Sequence, residues 1–258
     1  MREPDESIDL SAAQQAAAAA GYKGMMPVGA GSDRPFLDHV LSALADAGCR
    51  DVCLVVAPDH GAIRRYYEEQ RPPVRVRLSF AVQDRPSGTA NALLATAVFV
   101  GDDPFLAMNA DNLYPPAVIG ALAGLDGPGL AAFERDALVA DSGFPSERVG
   151  AFALLDVDAS GRLRRVLEKP GRDEVDRAGP HALVSMNVWR FDRRIFQACQ
   201  DVPLSARGEY ELPEAVALAI ARGVSFRAVP ARGPVLDLSS RADVAEVTRR
   251  LAGQEARP

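Results

Sequence analysis

The first half of the chain alternates between helical and strand patterns, and this alternation limits the folds it can adopt. In residues 36–48, apolar side chains recur every three or four positions, which predicts a helix that ends near Gly48. Residues 51–57 form a continuous apolar run of strand length, typical of a strand buried on both faces of a sheet. The succession continues with a helix near 62–69, a strand near 74–82, a helix near 89–100 and a strand near 104–108. Such an order predicts α/β layers around a mixed, mainly parallel sheet, and excludes all-α and all-β folds.

The second half is predicted to be richer in strands. Apolar and alternating runs predict strands near 130–133, 151–157, 162–167, 182–191, 225–229 and 234–238, with helices near 195–199, 211–221 and 241–251. No internal repeat and no Ser/Gly-rich linker separates the two halves. We therefore expect residues 1–258 to form one domain with a strand-rich second half.

Composition excludes several classes of function. The formal net charge is -6 and the pI is about 5.2, whereas a general nucleic-acid-binding surface is basic. The longest apolar stretch near the start, residues 16–20, is far shorter than the roughly 20 residues that span a bilayer, and no secretory signal pattern is present. Cys49, Cys53 and Cys199 have no spacing typical of a zinc site, so we expect free thiols in a reducing cytoplasm. The sequence predicts no nucleic-acid and no membrane partner.

Three short segments place polar residues where α/β folds carry their sites. Asp111 follows the strand predicted at 104–108, and ligands of such folds bind at the carboxyl ends of strands. The Asp111 carboxylate could bind a divalent metal or form an Asx turn. Asp237 could be a second metal ligand or the cap of a helix. Gly88 and Thr89 precede a helix, where a glycine lets a phosphate approach the backbone or simply makes a turn.

Charged residues in two other segments could either bind a ligand or form solvent-exposed loops. Glu168 and Lys169 close a predicted strand, and Arg207 and Glu209 stand before a predicted helix, where a guanidinium suits phosphate and a carboxylate suits hydroxyls. Of 29 basic residues, 27 are arginine and only Lys23 and Lys169 are lysine. These two positions are therefore candidates for sites that need a compact ammonium group.

The order and spacing of these segments resemble the sugar-phosphate nucleotidyltransferase family, which includes glucose-1-phosphate thymidylyl- and uridylyltransferases. The resemblance runs from Lys23 to about Leu251. Its segments are Lys23–Val28, Arg34–Leu37, Gln83 with Gly88 and Thr89, Asn109–Asn112 with Ala110 in the usual Gly place, Glu168–Pro170, Val184–Asp192 with Asn187 where many members have Gly, Arg207–Glu209, and Asp237. The resemblance implies a three-layer, Rossmann-like (GT-A-like) fold.

The resemblance also implies a reaction and roles for the residues. A sugar 1-phosphate oxygen attacks the α-phosphorus of an NTP, which gives an NDP-sugar and pyrophosphate. Lys23, Asp111 and Lys169 would be catalytic, and Mg²⁺ would be held by Asp111 and Asp237. Gln83, Gly88 and Thr89 would bind the nucleotide, and Glu168, Asn187, Arg207 and Glu209 the sugar phosphate. The partners would be these two substrates, with a homo-oligomer left open.

One family segment has no counterpart here, and two other functions stay open. Family members open with an apolar strand and a Gly-x-Gly-Thr/Ser-Arg loop, and nothing before Lys23 matches either. We expect the first strand and phosphate loop to be missing, with an unpaired strand edge where that strand would lie. The missing loop and Asn187 would also suit a catalytically impaired paralogue that binds a sugar nucleotide and regulates a partner subunit. A dehydrogenase would also have this α/β order of elements, but the chain has no G-x-G-x-x-G motif after a predicted strand.

Overall fold

The computed structural model describes residues 14, 15, 17, 23–29 and 34–258, and within this part of the chain helices are interspersed with strands. A 3-10 turn at Lys23–Met25 comes first, and a π-helical turn at Tyr66–Gln70 follows α2. The helices are α1 (Phe36–Asp46), α2 (Gly61–Arg65), α3 (Thr89–Leu94), α4 (Ala97–Val100), α5 (Pro116–Ala123), α6 (Arg135–Ser142), α7 (Ser146–Gly150), α8 (Arg172–Ala178), α9 (Arg194–Asp201), α10 (Leu212–Ala221) and α11 (Arg241–Arg250). The strands are β1 (Asp51–Val56), β2 (Arg77–Val82), β3 (Phe105–Met108), β4 (Asn112–Leu113), β5 (Gly129–Glu134), β6 (Leu154–Val157), β7 (Leu163–Leu167), β8 (Leu183–Phe191), β9 (Arg227–Ala231) and β10 (Leu236–Asp237).

The predicted α/β class with a mixed sheet is confirmed. The pairs β1/β2 and β5/β9 are parallel. The pairs β3/β8, β5/β8, β6/β7, β6/β8 and β4/β10 are antiparallel, so antiparallel pairs outnumber parallel ones among the described strands. Antiparallel pairs predominate because the long strand β8 is antiparallel to β3, β5 and β6, and β6 is antiparallel to β7. The second half also holds α6, α7 and α8, which its sequence pattern did not predict.

Helices cover both faces of the main sheet, and each face has its own apolar core. On one face, Ala131 and Phe133 of β5 and Val184 of β8 join a cluster that includes α1 and α5. On the other face, Leu130 of β5 and Trp189 of β8 join a cluster that includes α9 and α10. Adjacent strand residues point to opposite faces, so one strand supplies both clusters. The arrangement is the predicted three-layer order of helix, sheet and helix.

Helix α1 shows how the sequence pattern produces this packing. Its predicted apolar positions, including Phe36 and Leu41, are buried. Gly48 has φ +91° just beyond the helix, and its N–H donates to the Ala45 carbonyl at 3.1 Å. A glycine adopts this left-handed conformation without the steric penalty of a Cβ. The helix therefore ends where the sequence predicts, and the chain turns directly into β1.

Strands β1 and β3 are among the described strands that pair on one side only. β1 pairs only with β2, and β3 pairs only with β8, so the β1–β2 sheet is not joined to the main sheet through described strands. This pattern is what we expect if the first strand of the sheet is missing. That expectation, and the single domain over 1–258, stay predictions, because the segment before Lys23 lies largely outside the described residues.

The remaining predictions about the whole chain concern membranes and cysteines. None of the helices in the described part of the chain has the length and apolarity needed to cross a membrane. Cys49, Cys53 and Cys199 are unpaired thiols, and burial raises the pKa of Cys199 to about 12. A thiol with a raised pKa is a poor nucleophile at neutral pH. Cys199 therefore contributes to packing of the apolar core.

Candidate active site

Asp111 lies at the carboxyl end of β3, where the sequence places it. The chain leaves β3 through residues 109–111 and enters β4 at Asn112, which is buried. The side chain of Asp111 is partly exposed, at 30% of its full accessible area. A carboxylate at this position can reach a ligand in the solvent while its backbone is fixed by strands on both sides.

Strands β4 and β10 bring Asp237 beside Asp111. Asp237 pairs with Asn112 in the antiparallel ladder, and the Leu238 N–H donates to the Asp111 carbonyl at 2.8 Å. Burial, and then the nearby charge of Asp237, raise the pKa of the Asp111 carboxyl. The two carboxylates predicted to share a metal therefore converge, although they lie far apart in the sequence.

Lys23 contributes an ammonium group to the same place. Its Nζ lies 3.9 Å from the Asp111 Oδ2, and the Met26 N–H closes the 3-10 turn by donating to the Lys23 carbonyl at 3.0 Å. Lys23, Gly24 and residues 109–111 line an open cavity of about 440 Å³. The cavity therefore has one cation and one carboxylate at its wall, which suits a phosphorylated ligand with its metal.

Arg148 is a residue of this site that the sequence did not reveal. One guanidinium nitrogen lies 2.8 Å from the Asp237 Oδ2, and the other contacts Asp243 at 2.5 Å. The Ser239 hydroxyl donates to the other oxygen of Asp237. Nothing in the spacing of a lone arginine on α7 predicts a partner on β10, because only the tertiary fold brings them together.

The two aspartates fit a magnesium ion better than a metal with a full protein ligand set. No group of three or more His, Cys, Asp and Glu side chains suitable for a metal occurs among the described residues. Magnesium is usually held by one or two carboxylates, and water and substrate phosphates complete its coordination. The effect of Asp237 on the pKa of Asp111 shows mutual repulsion, which a shared cation would relieve.

Gln83, Gly88 and Thr89 form a second group, docked on the backbone of Tyr210. The Tyr210 N–H donates to the Ser87 carbonyl at 2.8 Å, and the Ala90 N–H donates to the Tyr210 carbonyl at 2.9 Å. A Cβ on Gly88 would lie only 2.4 Å from the Tyr210 oxygen, so no larger residue fits there. The Gln83 Nε2 donates to the Gly88 carbonyl at 3.0 Å and also to Asn91, while its amide oxygen is an additional acceptor.

Thr89 and the chain beyond Tyr210 complete this docking. The Leu212 N–H donates to the Thr89 Oγ1 at 2.9 Å. Gly88 and Thr89 thus join α3 to the start of α10, which is a structural role in addition to the nucleotide-binding role predicted for them. Tyr210 therefore links the segment predicted to bind the nucleotide to the segment predicted to bind the sugar phosphate.

The predicted sugar-phosphate residues form a charged cluster in which Glu211 takes a place that the sequence did not assign. Arg207 makes a two-pronged ion pair with Glu211, with its Nε 2.9 Å from one carboxylate oxygen. Glu168 reaches the surface, and the pKa of its carboxyl is raised by partial desolvation and then by the charge of Glu211. Glu209 is exposed and Glu211 is buried. Both residues precede α10, so the helical i,i+4 rule does not apply to them and no local pattern identifies this pair.

Lys169 and Asn187 share an unusual backbone conformation. They have φ values of +47° and +56°, and they are the non-glycine residues with positive φ in the described part of the chain. Such conformations occur at functional sites, and Asn tolerates them better than most residues. The positive φ is compatible with the expectation that Asn187 stands where other members of the family have glycine. The Asn187 N–H donates to the Ser185 Oγ at 3.1 Å, and the preceding Met186 carbonyl accepts from Tyr114.

Known sequences resemble this chain over most of its length. A family model for nucleotidyl transferases matches residues 18–249. The chain is 30% identical over 213 residues to glucose-1-phosphate thymidylyltransferase of Mycolicibacterium smegmatis, which covers 82% of this chain and 68% of the relative. It is 29% identical over 234 residues to UTP–glucose-1-phosphate uridylyltransferase of Haloferax volcanii, which covers 89% of this chain and 87% of the relative.

Solved structures share the fold. A UTP-bound UGPase from Acinetobacter baumannii superposes with a TM-score of 0.71 at 19% identity, covering 91% of this chain and 87% of that chain. An apo UDP-glucose pyrophosphorylase superposes with a TM-score of 0.70 at 17% identity, covering 88% and 89%. At these identities the likeness concerns the fold alone. The family match over nearly the whole chain, together with the thymidylyltransferase relative, leads to one conclusion: the chain is a member of the sugar-phosphate nucleotidyltransferase family.

Proposed function

We propose that this chain transfers a nucleotidyl group from an NTP to a sugar 1-phosphate. An oxygen of the sugar phosphate attacks the α-phosphorus, the bond from that phosphorus to the bridging oxygen breaks, and pyrophosphate leaves. The observation that carries the proposal is the convergence of Lys23, Asp111 and Asp237 at the carboxyl end of β3. Attacker and electrophile are both anionic, so catalysis consists mainly of positioning and charge neutralisation.

Each group of residues has a part in this reaction. Asp111 and Asp237 would hold Mg²⁺, which when bound neutralises charge on phosphate oxygens. Lys23 neutralises the triphosphate beside Asp111, and Lys169 neutralises the sugar phosphate. These local cations are needed because the net charge of -6 gives the protein a field that does not attract anionic substrates.

The remaining predicted residues orient the two substrates. Gln83 offers its amide oxygen to the nucleobase, and Gly88 and Thr89 hold the segment that carries it. Glu168 and Asn187 bind sugar hydroxyls, and Arg207 neutralises the sugar phosphate while Glu211 holds its guanidinium in place. Glu209 lies at the exposed rim of this cluster.

A screen for pyrophosphate release over NTPs and sugar 1-phosphates, with Mg²⁺, tests the proposal. We expect one pair of substrates to turn over, and Asp111→Asn to reduce that rate about 10²–10³-fold, the range for loss of one electrostatic stabiliser. Asp192→Asn is the matched control, because Asp192 pairs with Arg194 outside the site. Binding of a sugar nucleotide with no pyrophosphate release from any pair would instead indicate a catalytically impaired paralogue.

A further inference from the structure

Each carboxylate proposed as a metal ligand already has a cation from the chain itself. Lys23 lies 3.9 Å from Asp111, and Arg148 lies 2.8 Å from Asp237. Arg148 also contacts Asp243, so two cations and three carboxylates give this cluster a formal charge of -1 before any metal or substrate binds. A free divalent cation would therefore meet less negative charge than the carboxylates alone would present.

The two internal cations differ in how firmly they are held. The side chains of Lys23 and Asp111 are about one-third exposed, and their separation of 3.9 Å is longer than a hydrogen bond, so this ion pair is loose. Asp237 is buried, with 8% of its side chain accessible, and an ionised carboxylate in such a place needs a partner. Arg148 supplies that partner at hydrogen-bonding distance. The Lys23 ammonium group can thus leave Asp111 and contact a substrate phosphate, while the Arg148 guanidinium remains paired with Asp237.

Two further contacts fix Arg148. Its second guanidinium nitrogen contacts Asp243, and Asp243 caps α11 by accepting from the Ser240 N–H at 2.7 Å. The guanidinium carbon lies 5.0 Å from the centre of the Phe144 ring, a cation–π distance. A planar fork is needed to contact two carboxylates at once, which a lysine ammonium on a single stem does less well. The guanidinium is therefore held by β10, α11 and the segment before α7.

We infer that Arg148 is the resident counter-cation of Asp237, a positioning residue that weakens the binding of free divalent cations until the triphosphate arrives. The inference rests on the proposed function, since it takes Asp111 and Asp237 as the metal carboxylates. Arg148 orients Asp237 through one oxygen and leaves further lone pairs on that carboxylate for a metal. The triphosphate then adds negative charge where Lys23 and Arg148 offset that of the carboxylates, so metal and nucleotide bind together.

The test is a Mn²⁺ titration of substrate-free protein, with unbound Mn²⁺ measured by electron paramagnetic resonance. We expect Arg148→Gln to bind Mn²⁺ about tenfold more tightly than wild type, because a unit charge roughly 6 Å from a divalent ion contributes that factor even in an aqueous dielectric. Arg194→Gln, which breaks an exposed ion pair with Asp192, should leave the affinity unchanged. An Arg148→Gln affinity equal to or weaker than wild type would overturn the inference.

A second variant separates the charge of Arg148 from its shape and covers the case in which Arg148→Gln does not fold. Arg148→Lys keeps the charge and loses the fork, so its Mn²⁺ affinity should stay within about twofold of wild type while its melting temperature in EDTA falls. A large gain in Mn²⁺ affinity for Arg148→Lys would show that charge is not responsible and would overturn the inference. The titration needs no turnover, so its result is independent of the pyrophosphate screen. Asp237→Asn, which should lose Mn²⁺ binding, confirms separately that the ion occupies this site.

Discussion

Replacing Gly88 by alanine should destabilise the protein by about 3–4 kcal/mol. The added Cβ would lie 2.4 Å from the Tyr210 oxygen, where ordinary contacts begin near 3.4 Å, so that backbone must move by about 1 Å. The movement breaks or lengthens two hydrogen bonds, from Tyr210 to Ser87 and from Ala90 to Tyr210, each contributing about 1 kcal/mol. The φ of +107° adds about 1–2 kcal/mol for any residue with a Cβ.

A matched variant isolates the contact from the backbone conformation. Gly161 also has a positive φ, +79°, but a Cβ there would meet no atom within 4 Å. Gly161→Ala should therefore lose only about 1–2 kcal/mol. The free energy of unfolding is measured for both variants by urea titration followed by circular dichroism. Equal losses for the two variants would refute the claim that the Gly88–Tyr210 contact is essential to the docking.

Three further predictions concern the charged groups. Lys23→Arg and Lys169→Arg should each lower kcat although they keep the charge, because a planar fork does not replace a compact ammonium beside phosphates, and full activity of either would contradict this. Asp111→Asn should raise the unfolding free energy of metal-free protein at neutral pH: burial and Asp237 raise the folded-state pKa of Asp111, so its ionised form destabilises the fold. That gain should shrink as the pH falls through the raised pKa towards the ordinary one, and a gain independent of pH would count against it. Glu211→Gln should raise the KM for sugar 1-phosphate several-fold more than the KM for NTP, because Arg207 loses its two-pronged partner. Glu214→Gln, at an exposed position on α10, is the control, and equal effects of the two would show that the Arg207–Glu211 pair does not matter.

Local sequence patterns predict those parts of the fold in which one physical signal dominates. Helix α1 has an apolar stripe and a C-terminal glycine, and it forms almost to the predicted residue. Helix α5 was missed because it is apolar throughout and shows no helical period. Helix α8 was missed for the opposite reason, since it buries no residue and is rich in charge. Both are fixed by their position in the chain between strands rather than by a pattern of their own.

The candidate site divides in the same way. Asp111 was identified from its place after a strand, and the structure keeps it there. Its meeting with Asp237 was expected only from the family resemblance, because local spacing carries no information about β4 pairing with β10. Arg148 was missed, since one arginine among 27 carries no signal until the fold places it on a buried carboxylate. Choosing between Glu209 and Glu211 likewise required the structure, in which Glu211 is buried and paired with Arg207.

The core position of Trp189 gives the protein an intrinsic optical reporter. It is the only tryptophan of the chain, almost fully buried, and it stacks on Phe191 with ring centroids 5.6 Å apart. Trp189 lies two residues after Asn187 on the same strand, so a sugar ligand that shifts the irregular backbone there should change its fluorescence emission without any label. A ligand confined to Lys23 and Asp111 should leave that emission unchanged. The emission spectrum can thus distinguish a ligand near Asn187 from one near Lys23 and Asp111. The order in which the two substrates bind then becomes measurable by stopped-flow fluorescence on the unmodified protein.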